Sequence, residues 1–70
     1  MITLTNRDTI KPCYVDEKDI VDIKERSEDI AGRAYPYTRL HIIRSSEKHD
    51  YYIDVIESKR KIDQLIEQAN

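Results

Sequence analysis

The chain has 70 residues, with twelve basic and fourteen acidic side chains that give a formal net charge of −2 at pH 7. Charges of both signs are interspersed, which is typical of a solvated surface and excludes the strongly basic footprint of a duplex-binding domain. Residues 1–70 are enough for one small domain, whose single core gives only marginal stability. Because nothing else in the composition stabilises it, we expect a homo-oligomer.

The sequence carries no signal for a membrane, a cofactor or catalysis. Its longest apolar runs are two or three residues, too short to cross a bilayer, and Met1 to Asp8 lacks the apolar core of a signal peptide. Cys13 is the only cysteine and Gly32 the only glycine, so neither a disulfide within the chain nor a glycine-rich phosphate loop can form. We therefore expect a cytoplasmic protein that is not an enzyme, with no metal and no cofactor.

Period-two alternation of apolar residues predicts three short strands in the first part of the chain, at 1–5, 13–15 and 21–24. Residues 16–19 form an acidic stretch that predicts a single helical turn. Cys13 shares a strand face with Val15, so a small core residue is favoured over a nucleophile.

From Glu25 to Pro36 the apolar pattern fails. The stretch is charged or small and contains Gly32, so we predict a mobile loop at 25–36.

The remainder of the chain predicts two strands and a helix. Thr38–Arg44 and Tyr51–Val55 alternate clearly, and the polar stretch 45–50 has the length of a hairpin connection, so these strands are expected to be antiparallel neighbours. An apolar stripe at helical spacing follows, made of Ile62, Leu65, Ile66 and Ala69. The predicted fold class is α+β, with a small antiparallel sheet of four or five short strands, open or barrel-like, covered by one C-terminal helix.

The start of this helix has two alternatives. Ser58 can act as N-cap, or Asp54 can do so with Glu57 at the capping-box position. Ser58 is favoured because the β-branched residues before it suit a strand. Three cations then fall in the first turn, where the helix dipole disfavours them.

Two groups of residues are candidates for binding. Cations on the preceding hairpin are expected near those at the helix start if the two strands pair, and together they could bind an anion or an acidic partner: Arg44, Lys48, Lys59, Arg60 and Lys61. The tyrosines combine a large apolar ring with a polar hydroxyl and are candidates for a protein interface: Tyr14, Tyr35, Tyr37, Tyr51 and Tyr52. The alternatives are a basic patch neutralised by neighbouring acids and aromatic packing at the sheet rim. His41 and His49 have no metal-ligand spacing and are interpreted as surface or strand residues.

The chain resembles the small FlbD/SwrD-like family of bacterial flagellar and swarming-motility proteins, and similar short phage proteins. The matching segments are Met1–Thr5, Tyr14–Asp16 with Ile20 and Ile23, Thr38–Leu40, Tyr52–Ile53, and Glu57–Ser58 with Ile62, Leu65 and Ile66. The resemblance implies short strands, a C-terminal helix and no enzymatic activity. A weaker resemblance, through Leu4-Thr5-Asn6-Arg7, is to the carbon storage regulator family of RNA-binding dimers.

These observations predict a non-catalytic binding or regulatory module that acts through contact with a protein partner, as a bacterial or phage accessory protein. The alternative is an RNA- or nucleotide-binding protein that uses the basic cluster at the helix start.

Overall fold

The computed structural model describes residues 1–44 and 49–69, and it is α+β. Its elements in chain order are β1 (Ile2–Thr5), β2 (Pro12–Val15), a 3-10 turn (Glu17–Asp19), β3 (Ile20–Ile30), β4 (Arg33–Arg44), β5 (His49–Val55) and α1 (Lys59–Ala69). β1 and β2 form a two-stranded antiparallel sheet, and the other strands form a three-stranded antiparallel sheet in the order β3-β4-β5.

The five strands therefore lie in two sheets, where the sequence predicted one. The sheets meet at the end of β1: Asn6 pairs with Val55, and the amide of Ile56 donates to the Thr5 carbonyl over 3.1 Å. A further bond of 2.9 Å runs from the Arg7 amide to the Asp54 carbonyl. Backbone hydrogen bonds thus join β1 to β5 at this corner.

The core lies between the two sheets and the helix. Its buried apolar side chains come from four strands and α1: Ile2, Leu4, Val15, Leu40, Ile42, Val55 and Ile62. On the helix, Ile62 is fully buried, Leu65 and Ile66 are partly buried, and Ala69 is exposed. The predicted stripe is therefore confirmed for its first three residues and wrong for Ala69, whose side chain is exposed.

Glu57 ties the helix start to both sheets. Its carboxylate accepts hydrogen bonds from the Thr5 amide (2.8 Å) and hydroxyl (2.9 Å), and its carbonyl accepts from the buried Thr38 hydroxyl (2.7 Å). Ser58 is confirmed as the N-cap, since its Oγ accepts from the Lys61 amide over 3.2 Å. Asp54, the alternative cap, lies within β5.

The segment predicted as a loop at 25–36 is instead a β-hairpin, so that prediction was wrong about its secondary structure. β3 and β4 pair continuously from Asp22 with His41 to Ile30 with Arg33. The two residues between them, Ala31 and Gly32, have φ of 51° and 81°, the left-handed backbone of a tight hairpin turn.

β5 pairs with β4 only from Thr38 onward. Residues 26–37 therefore extend past the third strand as a two-stranded projection, which we call the arm. Its side chains are exposed almost throughout, which explains why no apolar alternation marks it in the sequence.

Candidate interaction site on the arm

β3 is an edge strand. Its one neighbour in the sheet is β4, and helix α1 lies near its first residues, beside Ile20 to Ile23. Within the described ranges 1–44 and 49–69, no backbone hydrogen bond reaches β3 from the side opposite β4. We call this side, from Lys24 to Ile30, the free edge. An exposed edge of this kind can template pairing with another strand.

The position of Pro36 shows which amides face the free edge. Pro36 pairs with Ser27 and has no N–H, so this must be a non-hydrogen-bonded pair of the antiparallel ladder. The Ser27 amide and carbonyl then point away from β4, and by alternation so do those of Glu25 and Asp29. The turn of the hairpin gives the same assignment of outward-facing amides. Ile30 and Arg33 flank a two-residue turn and therefore form a hydrogen-bonded pair.

A groove of about 400 Å³ lies at the base of the arm, next to the free edge. Both strands of the arm and the β5–α1 connection line it: Glu25, Arg26, Ser27, Pro36, Tyr37, Thr38, Ile56, Glu57 and Ser58. Ile56 is 50% exposed here. A strand added at the free edge would direct alternate side chains towards this groove.

The opposite face of the arm is held by Arg7, from the β1–β2 connection. Its guanidinium lies over the Tyr37 ring, 4.1 Å from the centroid, and its Nη2 forms an ion pair with Oε2 of Glu28. The hydrogen bond that Arg7 donates to the Glu28 carboxylate raises the pKa of Arg7. Through these contacts the β1–β2 connection binds both strands of the arm.

The outer face of the three-stranded sheet continues this pattern of matched charges. Arg39 donates two hydrogen bonds to Asp54, of 2.8 and 3.1 Å, and these bonds lower the pKa of Asp54. His41 lies 3.0 Å from Asp50, whose pKa it lowers by hydrogen bonding, and stacks on Tyr52 with centroids 4.6 Å apart. Because acids accompany these cations, the positive charges of this face are largely matched by neighbouring negative ones.

The basic candidates do not form one cluster. Arg44 pairs with His49 at the end of β4, whereas the helix start is bound to Thr38, six residues earlier in the same strand. Six residues of strand span roughly 20 Å, and Arg44 and Lys59 line different cavities. The predicted approach of Arg44 to the helix start was therefore wrong.

Around the helix start, Lys59 forms an ion pair of 3.1 Å with Asp63, while Arg60 and Lys61 are exposed in the first turn. The carboxylate of Glu57 binds Thr5 and does not pair with these cations. Lys48 lies outside the described residues.

The tyrosine candidates divide into three locations. Tyr35 and Tyr37 lie on the arm, and Tyr52 lies on the outer face of β5. Tyr14 and Tyr51 line a cavity of about 310 Å³ beside Arg44. Only Tyr35 and Tyr37 therefore belong to the arm.

Other kinds of site find little support. Among the residues described, no group of His, Cys, Asp and Glu is arranged to hold a metal ion. Cys13 packs against the core, where burial raises the pKa of its thiol and disfavours the nucleophilic thiolate. No helix in the described parts of the chain is long and apolar enough to cross a membrane.

Comparison of the chain with known proteins gives no further guide, since no protein-family model, curated protein or solved structure matches it.

The sequence did not predict the arm, because its strands bury neither face. Two signals could have revealed it: Ala31-Gly32 as a turn of two residues, and charged strand sequence on both sides of that turn.

Proposed function

We propose that the protein is a non-catalytic binding or regulatory module that acts through protein–protein contact, and that the contact is a strand added at the free edge of β3. The observation that carries this proposal is the arm itself. It consists of two strands that extend beyond the third, and an isolated two-stranded hairpin is at best marginally stable in water. A third strand from a partner would complete it.

The charge distribution favours a backbone contact over an ionic one. Arg39, His41 and Arg7 already have acidic neighbours on the outer face, so a highly charged partner gains little there. The amides and carbonyls of Glu25, Ser27 and Asp29 are, in contrast, directed at solvent. Main-chain hydrogen bonds to such an edge supply affinity, and the groove at the arm base supplies selectivity for side chains.

Ser27→Pro tests this proposal with little harm to the hairpin. Proline removes the amide that faces the free edge, and the bonds between β3 and β4 do not use that amide. Ser27→Thr is the matched control, because it keeps the amide and suits a strand. Protection of the Arg26 and Glu28 amides from hydrogen exchange should persist in all three proteins and would show that the hairpin is intact.

The immobilised wild-type protein and the two variants are then incubated with total soluble protein from the native cell. Proteins retained by wild type and Ser27→Thr but lost with Ser27→Pro are those that use the free edge. Identical sets of retained proteins for Ser27→Pro and wild type would contradict the proposal.

A further inference from the structure

We infer that the free edge of β3 pairs with the same edge of a second copy of this chain, antiparallel and centred on Arg26. This inference rests on the function proposed above and names the partner. The result would be a six-stranded sheet across a two-fold axis, in which each arm gains the third strand that it lacks. Such an isologous contact uses one surface twice and closes on itself.

The geometry of the edge restricts the register. A two-fold axis perpendicular to the sheet keeps each face of the sheet on the same side. Residues opposite each other across the axis point to the same face, and side chains alternate between faces along a strand, so the residue numbers of each opposing pair must have an even sum. The outward amides of Glu25 and Ser27 then face one another across the axis when the centre is Arg26. That register gives hydrogen-bonded pairs of Glu25 with Ser27 of the second copy, and the reverse.

The charges of β3 are complementary in this register. Lys24 lies opposite Glu28 of the second copy, and Glu28 lies opposite Lys24 of the second copy. Both are non-hydrogen-bonded pairs, in which side chains approach most closely. Within the described residues Arg7 bonds to Oε2 of Glu28, and a carboxylate can accept from a second cation through its other oxygen. One like-charged pair, Arg26 with its own copy, lies on the axis.

The neighbouring registers are worse. Centring on Glu25 places Lys24 opposite Arg26 twice, and these are like charges. Centring on Ser27 places Arg26 opposite Glu28 twice, which is attractive, but it also places Glu25 opposite Asp29 twice, which brings like charges together. Like charges directly opposite on adjacent strands are destabilising. The Arg26-centred register, with two attractive pairs and one like-charged pair, therefore has the most favourable balance of charge of the three.

Sedimentation of the full chain over micromolar to millimolar concentration tests the inference. The interface is small, at the low end of specific contacts, so dimerisation is expected in the micromolar range or above. Wild type and Ser27→Thr should dimerise, whereas Ser27→Pro should stay monomeric because the central outward amides are lost.

Lys24→Glu tests the register. It should raise the dissociation constant about tenfold, since two attractive cross-strand pairs become repulsive. Within one chain, residue 24 lies opposite Arg39 of β4. A glutamate there gains an oppositely charged neighbour, so the monomer should not be destabilised. Lys24→Gln removes the charge without reversing it, leaves the Arg7–Glu28 pair in place and should give an intermediate dissociation constant.

Three outcomes overturn the inference: a wild-type monomer at all concentrations, a Ser27→Pro dimer of wild-type affinity, or a Lys24→Glu variant that dimerises as well as wild type. The first of these leaves the proposed function standing if the capture experiment still separates wild type from Ser27→Pro. If both experiments give identical results for those two proteins, the proposed function fails as well.

Discussion

Arg7 lies across the ring of Tyr37, with its guanidinium carbon 4.1 Å from the ring centroid, and pairs at the same time with Glu28. One side chain from the β1–β2 connection thus contacts both strands of the arm. The contact fixes the arm relative to the body of the protein, and it uses side chains on one face of the arm without using the backbone groups of the free edge.

Arg7→Ala should therefore loosen the arm while leaving the core intact. Amides of Arg26 and Glu28, which bond to β4, should exchange with solvent several-fold faster, because local opening of the hairpin becomes easier. Amides of core residues such as Leu40 should be unaffected. Arg7→Lys is the control: it keeps the charge but loses the planar contact with Tyr37 and should give an intermediate rate. Equal exchange in all three proteins would show that Arg7 does not hold the arm.

Ile10 is strained in the β1–β2 connection. It has a φ of 57° and is exposed, and a β-branched residue is disfavoured in this left-handed region. Ile10→Asn should raise stability by about 1 kcal/mol, which corresponds to roughly 4–8 °C in melting temperature for a domain of this size. Ile10→Val keeps the branched Cβ and should melt like wild type. A lower melting temperature for Ile10→Asn would refute the strain.

The helix should depend more on Ile62 than on Leu65. Ile62 is 0% exposed, whereas Leu65 is only partly buried. Ile62→Ala should cost about 2–5 kcal/mol through lost burial and a cavity, a large part of the stability of a small domain. Leu65→Ala should cost less, and Ala69→Ser, at an exposed position, should cost little. Denaturant titration of the three variants measures this order, and a reversed order for Ile62 and Leu65 would contradict the packing.

Stability should fall in acid partly through Asp54. Hydrogen bonding from Arg39 lowers the pKa of Asp54 in the folded state, so the folded protein favours the carboxylate more than the unfolded chain does. This contribution is complete above the ordinary Asp pKa of about 3.9 and is lost as the pH falls through the lower folded value.

Asp54→Asn should accordingly lower stability at pH 7 and reduce the further loss below about pH 4. Some acid dependence should persist, because His41 lowers the pKa of Asp50 in the same direction. Urea titrations between pH 2 and pH 7 measure the free energy of unfolding of both proteins as a function of pH. An unchanged acid slope in Asp54→Asn would show that the Arg39 pair does not act in solution.

Local signals in the sequence predicted much of the body of the protein. The strands at Thr38–Arg44 and Tyr51–Val55 were found because one face of each is buried, and Ser58 because its hydroxyl caps the helix. Arg44 was predicted to lie near the helix start, although the order of the elements along the chain places it elsewhere. Arg44 precedes β5 and the helix follows β5, so the two lie at opposite ends of that strand.

The arm could not be found in the same way. Apolar periodicity reports burial, and β3 beyond Ile23 buries neither face, so its strand character depends on pairing with β4. The candidate site was missed for the same reason. Its essential groups are backbone amides such as that of Ser27, whose direction follows from the register with Pro36 and is not encoded in side-chain type.

Amide hydrogen exchange, measured residue by residue along β3, tests the central claim most directly. In dilute protein the amides of Glu25, Ser27 and Asp29 should exchange rapidly, while those of Arg26 and Glu28 are protected by β4. At concentrations where the protein associates, or with a captured partner added, the three fast amides should become protected. Protection elsewhere on the molecule, with Glu25, Ser27 and Asp29 still exchanging rapidly in the complex, would contradict the account.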